Sequence, residues 1–305
     1  MPAISVEQIT KTYNKGKVLA VDDISFSVNE GELFGIIGPD GAGKTSLFRI
    51  LTTLLLPEKG TATVCNYDVV KDYKKVRGIV GYMPGRFSLY HDLTVEENLN
   101  FFATVFGTSV EKNYDLISDI YTQIEPFKKR RAGQLSGGMK QKLALCCALV
   151  HKPEALFLDE PTTGVDAVSR REFWEMLKRL QKQKITILVS TAYMDEANLC
   201  DRIGLMQTGK MLAIDTPENI LNSYPEKLFA IKSKNVHRLL NDLKNYEETL
   251  QCYASGEFLH LSFKNETTEP ERKVLTFLRT KGHEEIEIQL SKPTIEDCFI
   301  RLITS

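Results

Sequence analysis

A glycine-rich segment near the N-terminus has the residue types of a loop that binds phosphate groups. It follows the apolar run Leu33–Ile37 and opens the helical stretch Thr45–Leu56. Glycines let backbone N–H groups close on phosphate oxygens, and the N-terminus of the helix adds positive potential. Lys44 can reach the β- and γ-phosphates of a nucleotide, while the Thr45 hydroxyl can bind Mg²⁺. The predicted nucleotide-binding residues of this segment are Gly38, Pro39, Asp40, Gly41, Ala42, Gly43, Lys44, Thr45 and Ser46.

The spacing of these residues matches the pattern G-x-x-x-x-G-K-[ST] at every fixed position. The alternative is a glycine-rich turn without a ligand. An apolar strand before the loop and a helix after it are the context that indicates a P-loop. Asp40 is an unusual component, because a carboxylate inside a phosphate-binding loop repels the ligand unless it points outward. We therefore predict an ATP site whose affinity depends on where Asp40 points.

Two further segments place polar groups where apolar or helical stretches begin or end. Leu156–Leu158 precedes the acids Asp159 and Glu160. The segment Ser136-Gly137-Gly138 stands roughly 20 residues upstream, at the start of a helical pattern. A serine and two glycines there form either a second anion site or an ordinary N-cap turn. Their position between the P-loop and the paired acids favours the anion site.

Together these motifs make residues 1 to about 224 similar to the nucleotide-binding domain of ATP-binding cassette (ABC) ATPases. The resemblance implies an α/β P-loop NTPase fold with a RecA-like core, an antiparallel β subdomain and a helical subdomain at about residues 86–150. It implies ATP and Mg²⁺ as cofactors, and a dimer in which each P-loop faces the signature serine of the other cassette. The resemblance implies that Thr45 and Asp159 bind Mg²⁺ and that Glu160 polarises the attacking water. It implies that Ser136, Gly137 and Gly138 contact the ATP of the partner cassette. It also implies that Asp166 lies at the dimer interface and that Tyr13 stacks on adenine. For Tyr13, simple packing is the alternative.

Apolar patterning supports an α/β core and adds a second domain. The runs Leu33–Ile37, Leu156–Leu158 and Ile185–Val189 are typical of covered parallel strands, whereas Ile24–Val28 alternates like a half-buried strand. After Ser223–Pro225 the pattern predicts strand, helix, strand, turn, strand, helix, strand and a final helix. We therefore expect two domains, a cassette at residues 1–224 and a small C-terminal α+β domain at residues 225–305.

Bulk composition limits the partners and the compartment. The net charge of −1 provides no basic field for nucleic acid, so we expect no nucleic-acid partner. No apolar run reaches the roughly 18–20 residues of a membrane span, and residues 1–10 do not have the pattern of a signal peptide. The six cysteines form no CxxC pair, which favours reduced structural thiols. We expect a cytoplasmic protein that lies peripherally at the inner face of the cell membrane.

Two positions depart from the family pattern. Relatives usually carry glutamine after the Tyr-x-Pro stretch, whereas this chain has Gly85 there. Relatives also usually carry histidine after the last apolar strand, whereas this chain has Ala192 there. Alanine cannot donate a side-chain hydrogen bond or orient water. We therefore expect an ATP site that hydrolyses slowly, paired with a competent site on a second cassette. The alternative is a homodimer in which a shifted water or backbone group compensates.

The segments around the motifs resemble ABC-2-type exporter ATPases, in particular the first half of tandem ATPases of the YbhF-like kind. This resemblance implies that the partners are membrane (permease) subunits, which dock on the helical subdomain. Phe87 and Tyr90 of that subdomain either contact the membrane subunits or pack inside the subdomain. It also implies a regulatory or dimer-supporting role for the C-terminal domain. The alternatives are a non-transport ABC protein and a regulatory ABC protein that binds ATP with little turnover.

Overall fold

The computed structural model describes residues 2–264 and 269–304, which belong to two compact units. The first unit consists of Met1–Pro217 and Arg301–Ser305, and the second consists of Glu218–Ile300. No helix in the described ranges is both long and apolar enough to cross a membrane.

The first unit contains an antiparallel four-stranded sheet in the order β2-β1-β4-β5. Its strands are β1 (Pro2–Tyr13), β2 (Val18–Asn29), β4 (Lys59–Val64) and β5 (Tyr67–Asp68). Ile24, Phe26 and Val28 of β2 are buried, while Ser25 between them is exposed. The alternation predicted for a half-buried strand is therefore confirmed.

A six-stranded sheet forms the centre of the first unit, in the order β10-β9-β3-β8-β7-β6. Its strands are β3 (Leu33–Ile37), β6 (Val80–Met83), β7 (Ala155–Asp159), β8 (Thr186–Thr191), β9 (Arg202–Gln207) and β10 (Lys210–Asp215). Strands β9, β3, β8, β7 and β6 run parallel, and β10 pairs antiparallel with β9. Every residue of β3, β7 and β8 is buried, as the continuous apolar runs predict.

Among the described residues, six α-helices lie between the strands of the first unit, and a seventh follows β10 and begins at Pro217, where that segment of the unit ends. They are α1 (Lys44–Leu51), α2 (Tyr73–Ile79), α3 (Val95–Val105), α4 (Tyr114–Tyr121), α5 (Gly137–Leu149), α6 (Ala167–Lys182) and α7 (Pro217–Asn222). The prediction that the first helix extends to Leu56 is wrong, because α1 ends at Leu51 and Thr53 adopts a left-handed φ of 64°. In the core, the fully buried Phe48 of α1 packs edge-to-face on Phe157 of β7, with ring centroids 6.2 Å apart. Burial of each such ring stabilises the fold by about 2 kcal/mol.

The second unit is a small α+β domain. Its sheet has the order β12-β13-β11-β14 with every neighbouring pair antiparallel. The elements are β11 (Leu228–Lys232), α8 (Val236–Lys244), β12 (Thr249–Ser255), β13 (Phe258–Phe263), α9 (Pro270–Thr280) and β14 (Glu287–Ser291), and α10 (Ile295–Thr304) follows. This β-α-β-β-α-β order is the split βαβ arrangement of ferredoxin-like domains. The predicted succession of elements, including the final helix, is confirmed.

Candidate functional site

The candidate site lies at the carboxyl edge of the central sheet. Neighbouring strands are in register there: Ile37 of β3 pairs with Thr191 of β8, and Asp159 of β7 pairs with Ser190. The segments that leave these strands therefore begin side by side, although they are far apart in sequence. The carboxyl edge of a parallel sheet is where α/β proteins bind ligands.

The predicted phosphate loop runs from the end of β3 to the start of α1. Gly38 and Gly43 leave no room for a side chain, because an added Cβ would lie 2.1 Å from the carbonyl oxygens of Met206 and Ala20, respectively. Gly43 precedes α1 with a φ of 108°, which an L side chain rarely adopts. The Asp40 side chain is exposed. Backbone N–H groups in the first turn of an eight-residue helix face this loop, as phosphate binding requires.

Lys44 is the first residue of α1, and only 3% of its surface is exposed. Its ammonium donates to the carbonyl oxygens of Gly38 (2.7 Å) and Pro39 (3.0 Å) and lies 3.1 Å from a carboxylate oxygen of Glu160. The lysine thus folds over the loop in which it stands. These three interactions hold the Lys44 ammonium between the loop and Glu160.

Asp159 is the last residue of strand β7, Glu160 follows it, and both are hydrogen-bonded to Ser190 of the neighbouring strand. The Ser190 hydroxyl donates to Asp159 Oδ1 (2.7 Å) and accepts from the Glu160 backbone N–H (3.0 Å). Glu160 has a left-handed φ of 51°, a conformation that costs a non-glycine residue about 1 kcal/mol. Burial, together with the negative charge of Asp159, raises the pKa of Tyr82 on β6 to about 12.

Thr45 and Asp159 fit the requirements of Mg²⁺, which takes oxygen ligands from one or two protein groups and from nucleotide phosphates. The Asp159 carboxylate is 2% exposed and accepts one hydrogen bond from a neutral hydroxyl, with no cation paired to it among the described residues. The Tyr13 hydroxyl lies 3.1 Å from that of Ser46, one position after Thr45. Tyr13 is thereby placed beside the first turn of α1, where the sequence predicts an adenine contact.

The signature segment begins α5. Ser136 is the N-cap, its hydroxyl accepting from the Met139 N–H (3.3 Å), and both Ser136 and Gly137 are exposed. An added Cβ at Gly138 would lie 2.9 Å from the Ser169 hydroxyl, so the glycine permits α5 to approach α6 closely. Ser136 therefore caps α5, as the alternative interpretation of this segment predicts. Because the residue is also exposed, a partner molecule could reach its hydroxyl.

Asp166 is the N-cap of α6. Its carboxylate accepts from the N–H groups of Val168 (3.1 Å) and Ser169 (3.0 Å), and these hydrogen bonds, led by the one from Ser169, hold the pKa of Asp166 below its usual value. The Asp166 side chain is exposed. A negative charge at a helix N-terminus complements the helix dipole and favours α6.

The two positions that depart from the family pattern lie against this site. An added Cβ at Gly85 would lie 3.0 Å from the Asp159 carbonyl oxygen and 3.7 Å from Glu160 Cβ. Ala192 follows Thr191, whose carbonyl oxygen accepts from the Gly38 N–H (3.2 Å). Gly85 therefore presents only a hydrogen atom to the site, and Ala192, next to Thr191, carries only a methyl group.

A groove of about 590 Å³ lies in the first unit beside the site. Its apolar wall includes Met83, Phe87, Phe102, Val105, Ala144 and Cys147. Phe87 contacts the Lys140 ammonium (5.6 Å from the ring centroid) and packs edge-to-face on His91. Tyr90 is half exposed, packs on Phe101 and does not line the groove.

Sequence reasoning did not identify Ser190 as a site residue. Ser190 directly follows the apolar run Ile185–Val189, and its position next to Asp159 depends on the pairing of β7 with β8. The available signal was a hydroxyl residue close to the end of a strand that is otherwise apolar.

The fold and the site define a P-loop nucleotide-binding protein of the cassette type, and comparisons with known proteins agree. A family model described as "ABC transporter" matches residues 21–163. Among solved structures, CbiO1 from Clostridium perfringens, part of the ABC transporter complex CbiONQ, is 27% identical, with a TM-score of 0.65 over 73% of this chain and 91% of that chain. The ATP-binding cassette MJ0796 bound to ADP and Pi is 25% identical, with a TM-score of 0.63 over 70% and 98%.

Curated relatives are ATP-binding proteins of transporters. The probable multidrug ABC transporter ATP-binding protein YbhF of Escherichia coli K12 is 38% identical over 288 residues, which is 93% of this chain but 49% of that protein. The chain thus spans about half the length of the YbhF proteins that it matches. The Nod factor export ATP-binding protein I of Rhizobium sp. N33 is 33% identical over 98% of this chain and 96% of that protein. The chain belongs to the family of ABC transporter ATP-binding proteins.

Proposed function

We propose that this chain is the ATP-binding and ATP-hydrolysing subunit of an ABC exporter and that it powers efflux through separate membrane subunits. The observation that carries the proposal is the convergence of Lys44, Asp159 and Glu160 at one edge of the central sheet. Relatives named for multidrug transport, Nod factor export and doxorubicin resistance support the exporter class. The location would be the cytoplasmic face of the cell membrane.

Catalysis at such a site depends on positioning and electrostatics, because phosphoryl transfer to water needs no covalent intermediate on the protein. Lys44 would exchange the two loop carbonyls and Glu160 for the β- and γ-phosphate oxygens. Thr45 and Asp159 would hold Mg²⁺, which when bound neutralises charge on the phosphates. The Glu160 carboxylate, released from Lys44, would accept a hydrogen bond from the attacking water and orient it.

The dimer would form when ATP on one cassette meets the signature segment of another. Ser136 and Gly137 are exposed at the start of α5, so they are available to a second molecule. ATP that contacts both chains favours the closed dimer, and its hydrolysis removes that preference, which is a shift between two populated states. The partner would be a second copy or a different cassette.

The site on this chain's own P-loop would hydrolyse ATP slowly. Gly85 and Ala192 remove two groups that stabilise or orient the reacting atoms, and each such loss costs about 100-fold in rate. Glu160 and Ser136 are retained, so the chain would bind ATP and complete the site of a competent partner. The likeness to half of a YbhF protein supports an unequal pair of cassettes.

The nucleotide part of the proposal is tested by binding of Mg·ATP to the purified chain and to the variant Lys44→Ala. The wild type should bind, and the variant should lose about tenfold or more in affinity because the ammonium no longer faces the phosphates. Arg77→Ala is a matched control, because it removes a cation on α2 that bonds Thr53 and lies outside the loop. Equal binding by wild type and Lys44→Ala would contradict an ATP site at this loop.

The transport part is tested by co-purification with membrane proteins from the native cell. Membrane subunits would dock in the groove lined by Phe87, since aromatic side chains often anchor interfaces. Phe87→Ala should reduce the amount of co-purified multi-span protein while leaving ATP binding unchanged. Tyr90→Ala, which removes an aromatic side chain outside the groove, should have a smaller effect.

A further inference from the structure

The hydroxyl of Ser190 joins the two acids of the nucleotide site. It donates to Asp159 Oδ1 over 2.7 Å and accepts the Glu160 backbone N–H over 3.0 Å, so its donor and one of its acceptor positions are both used. Ser190 is fully buried, and its strand β8 lies between the P-loop strand β3 and the acid-bearing strand β7. No other side chain in the described residues has hydrogen bonds to both acids.

These two bonds act on the Asp159 carboxylate and on the Glu160 backbone, which must both be oriented for the site to bind Mg²⁺ and water. The first bond directs one oxygen of the Asp159 carboxylate, a group that is 2% exposed and that would face Mg²⁺. Hydrogen bonds to a metal-binding carboxylate commonly change metal affinity 10- to 100-fold when they are lost. The second bond is one of two that the Glu160 N–H donates to Ser190, since the Ser190 backbone carbonyl oxygen also accepts it over 3.1 Å. Together they fix the Glu160 backbone, whose left-handed φ of 51° requires support from its surroundings.

We propose that Ser190 is a positioning residue for the ATP–Mg²⁺ site, which sets the Asp159 carboxylate for the metal and the Glu160 side chain for water. The inference rests on the proposed function, since it needs a bound Mg-nucleotide. Gly85 and Ala192 offer no side-chain hydrogen bond at this edge of the sheet, and Lys44 pairs with Glu160 alone. Among the described residues, Ser190 is therefore the side chain that donates to Asp159.

The test is Mg²⁺-dependent binding of ADP to the full chain, measured by calorimetry with and without Mg²⁺. Removing the hydroxyl in Ser190→Ala should lower the affinity for ADP in the presence of Mg²⁺ about tenfold and change Mg²⁺-free affinity less than twofold. Ser190→Thr keeps the hydroxyl and should retain most of the Mg²⁺ enhancement. A role limited to folding would reduce both affinities together.

A matched control is available on the same strand. Thr186 is also buried, and its hydroxyl accepts from the Gly31 N–H (3.0 Å) at the opposite end of β8. Thr186→Val removes a buried hydroxyl of comparable environment and should leave the Mg²⁺ enhancement unchanged. If Ser190→Ala does not fold, Ser190→Cys replaces it, because a thiol has similar size and is a weaker donor; its enhancement should fall between those of alanine and serine.

Besides a parallel loss of both affinities, two further results would overturn the inference, and they differ from each other. Wild-type Mg²⁺ enhancement in folded Ser190→Ala or Ser190→Cys would show that the hydroxyl does not position the acids, while the nucleotide site itself would stand. Failure of the wild-type chain to bind ADP under any condition would overturn the proposed function and the positioning role with it.

Discussion

The Lys44 ammonium lies 3.1 Å from a Glu160 carboxylate oxygen, which pairs the predicted phosphate-binding cation with the predicted catalytic acid. Lys44 is almost fully buried, and the Glu160 side chain is 22% exposed. The opposite charges of the two side chains therefore neutralise each other. Phosphate oxygens that bind Lys44 would therefore compete with the Glu160 carboxylate for the same ammonium.

Neutralising the acid should therefore tighten nucleotide binding. Glu160→Gln removes the charge that competes for Lys44, and we expect ADP to bind about fivefold more tightly, corresponding to about 1 kcal/mol for a partly exposed ion pair. Titration with a fluorescent ADP analogue measures the change. Glu172→Gln is the matched control, since it breaks the pair with Lys142 (2.8 Å) outside the site and should leave ADP affinity unchanged. Weaker ADP binding in Glu160→Gln would contradict competition for Lys44.

Restoring an imidazole at position 192 should accelerate hydrolysis. Ala192 stands beside the P-loop and lacks a hydrogen-bond donor, so Ala192→His should raise turnover about tenfold or more if this missing group limits the rate. The measurement is phosphate release under saturating Mg·ATP, in the presence of the cassette partner if one co-purifies. Ala192→Phe supplies similar bulk without a donor and should give no gain. Unchanged turnover in Ala192→His would show that another step or residue limits the site.

Stability of the second unit should depend on the ionised form of Asp297. This carboxylate accepts from Tyr253 (2.6 Å), contacts His260 Nδ1 (2.6 Å) and accepts from Thr294 N–H and hydroxyl. Burial opposes its charge, yet the hydrogen bonds from these three residues hold the pKa of Asp297 below its usual value. A lowered folded-state pKa gives stability that is fully present above the unfolded value of about 3.9 and is lost as pH falls through the folded value.

Asp297→Asn tests this dependence. At pH 7 it should lower the free energy of unfolding of this unit by about 2 kcal/mol, because charge-assisted hydrogen bonds become neutral ones. It should also flatten the fall in melting temperature below pH 4. Glu257→Gln, which removes an exposed carboxylate of the same unit, should leave the thermal unfolding curve unchanged. An equally steep acid limb in wild type and Asp297→Asn would contradict the role of Asp297.

Sequence patterns predicted the fold class and the order of elements well, because each rests on local features. The P-loop needs only a strand, glycines and a helix, and the second unit follows alternating patterns with a turn at Gly256. The end of α1 was mispredicted, since the apolar residues up to Leu56 continue the helical pattern although Thr53 leaves helical geometry.

Contacts between distant strands could not be predicted in the same way. The bonds of Ser190 to Asp159 and Glu160 require β8 to lie beside β7, and the Lys44–Glu160 pair requires the loop after β3 to meet the end of β7. Register between such strands is set by the whole core rather than by a local pattern. The roles of Tyr13, Ser136 and Asp166 in nucleotide binding and dimer contact stay predictions, now with defined positions.

The central claim is that this chain holds a nucleotide at a site of its own that hydrolyses it slowly. The most direct test is steady-state ATP hydrolysis by the purified chain over a range of protein concentrations. The same assay is run on Glu160→Gln, and ATP binding is measured directly for both proteins. We predict that the chain binds Mg·ATP and turns it over no faster than Glu160→Gln at any concentration. Robust hydrolysis that rises with protein concentration and is abolished in Glu160→Gln would contradict the claim and indicate a working homodimer, despite Gly85 and Ala192.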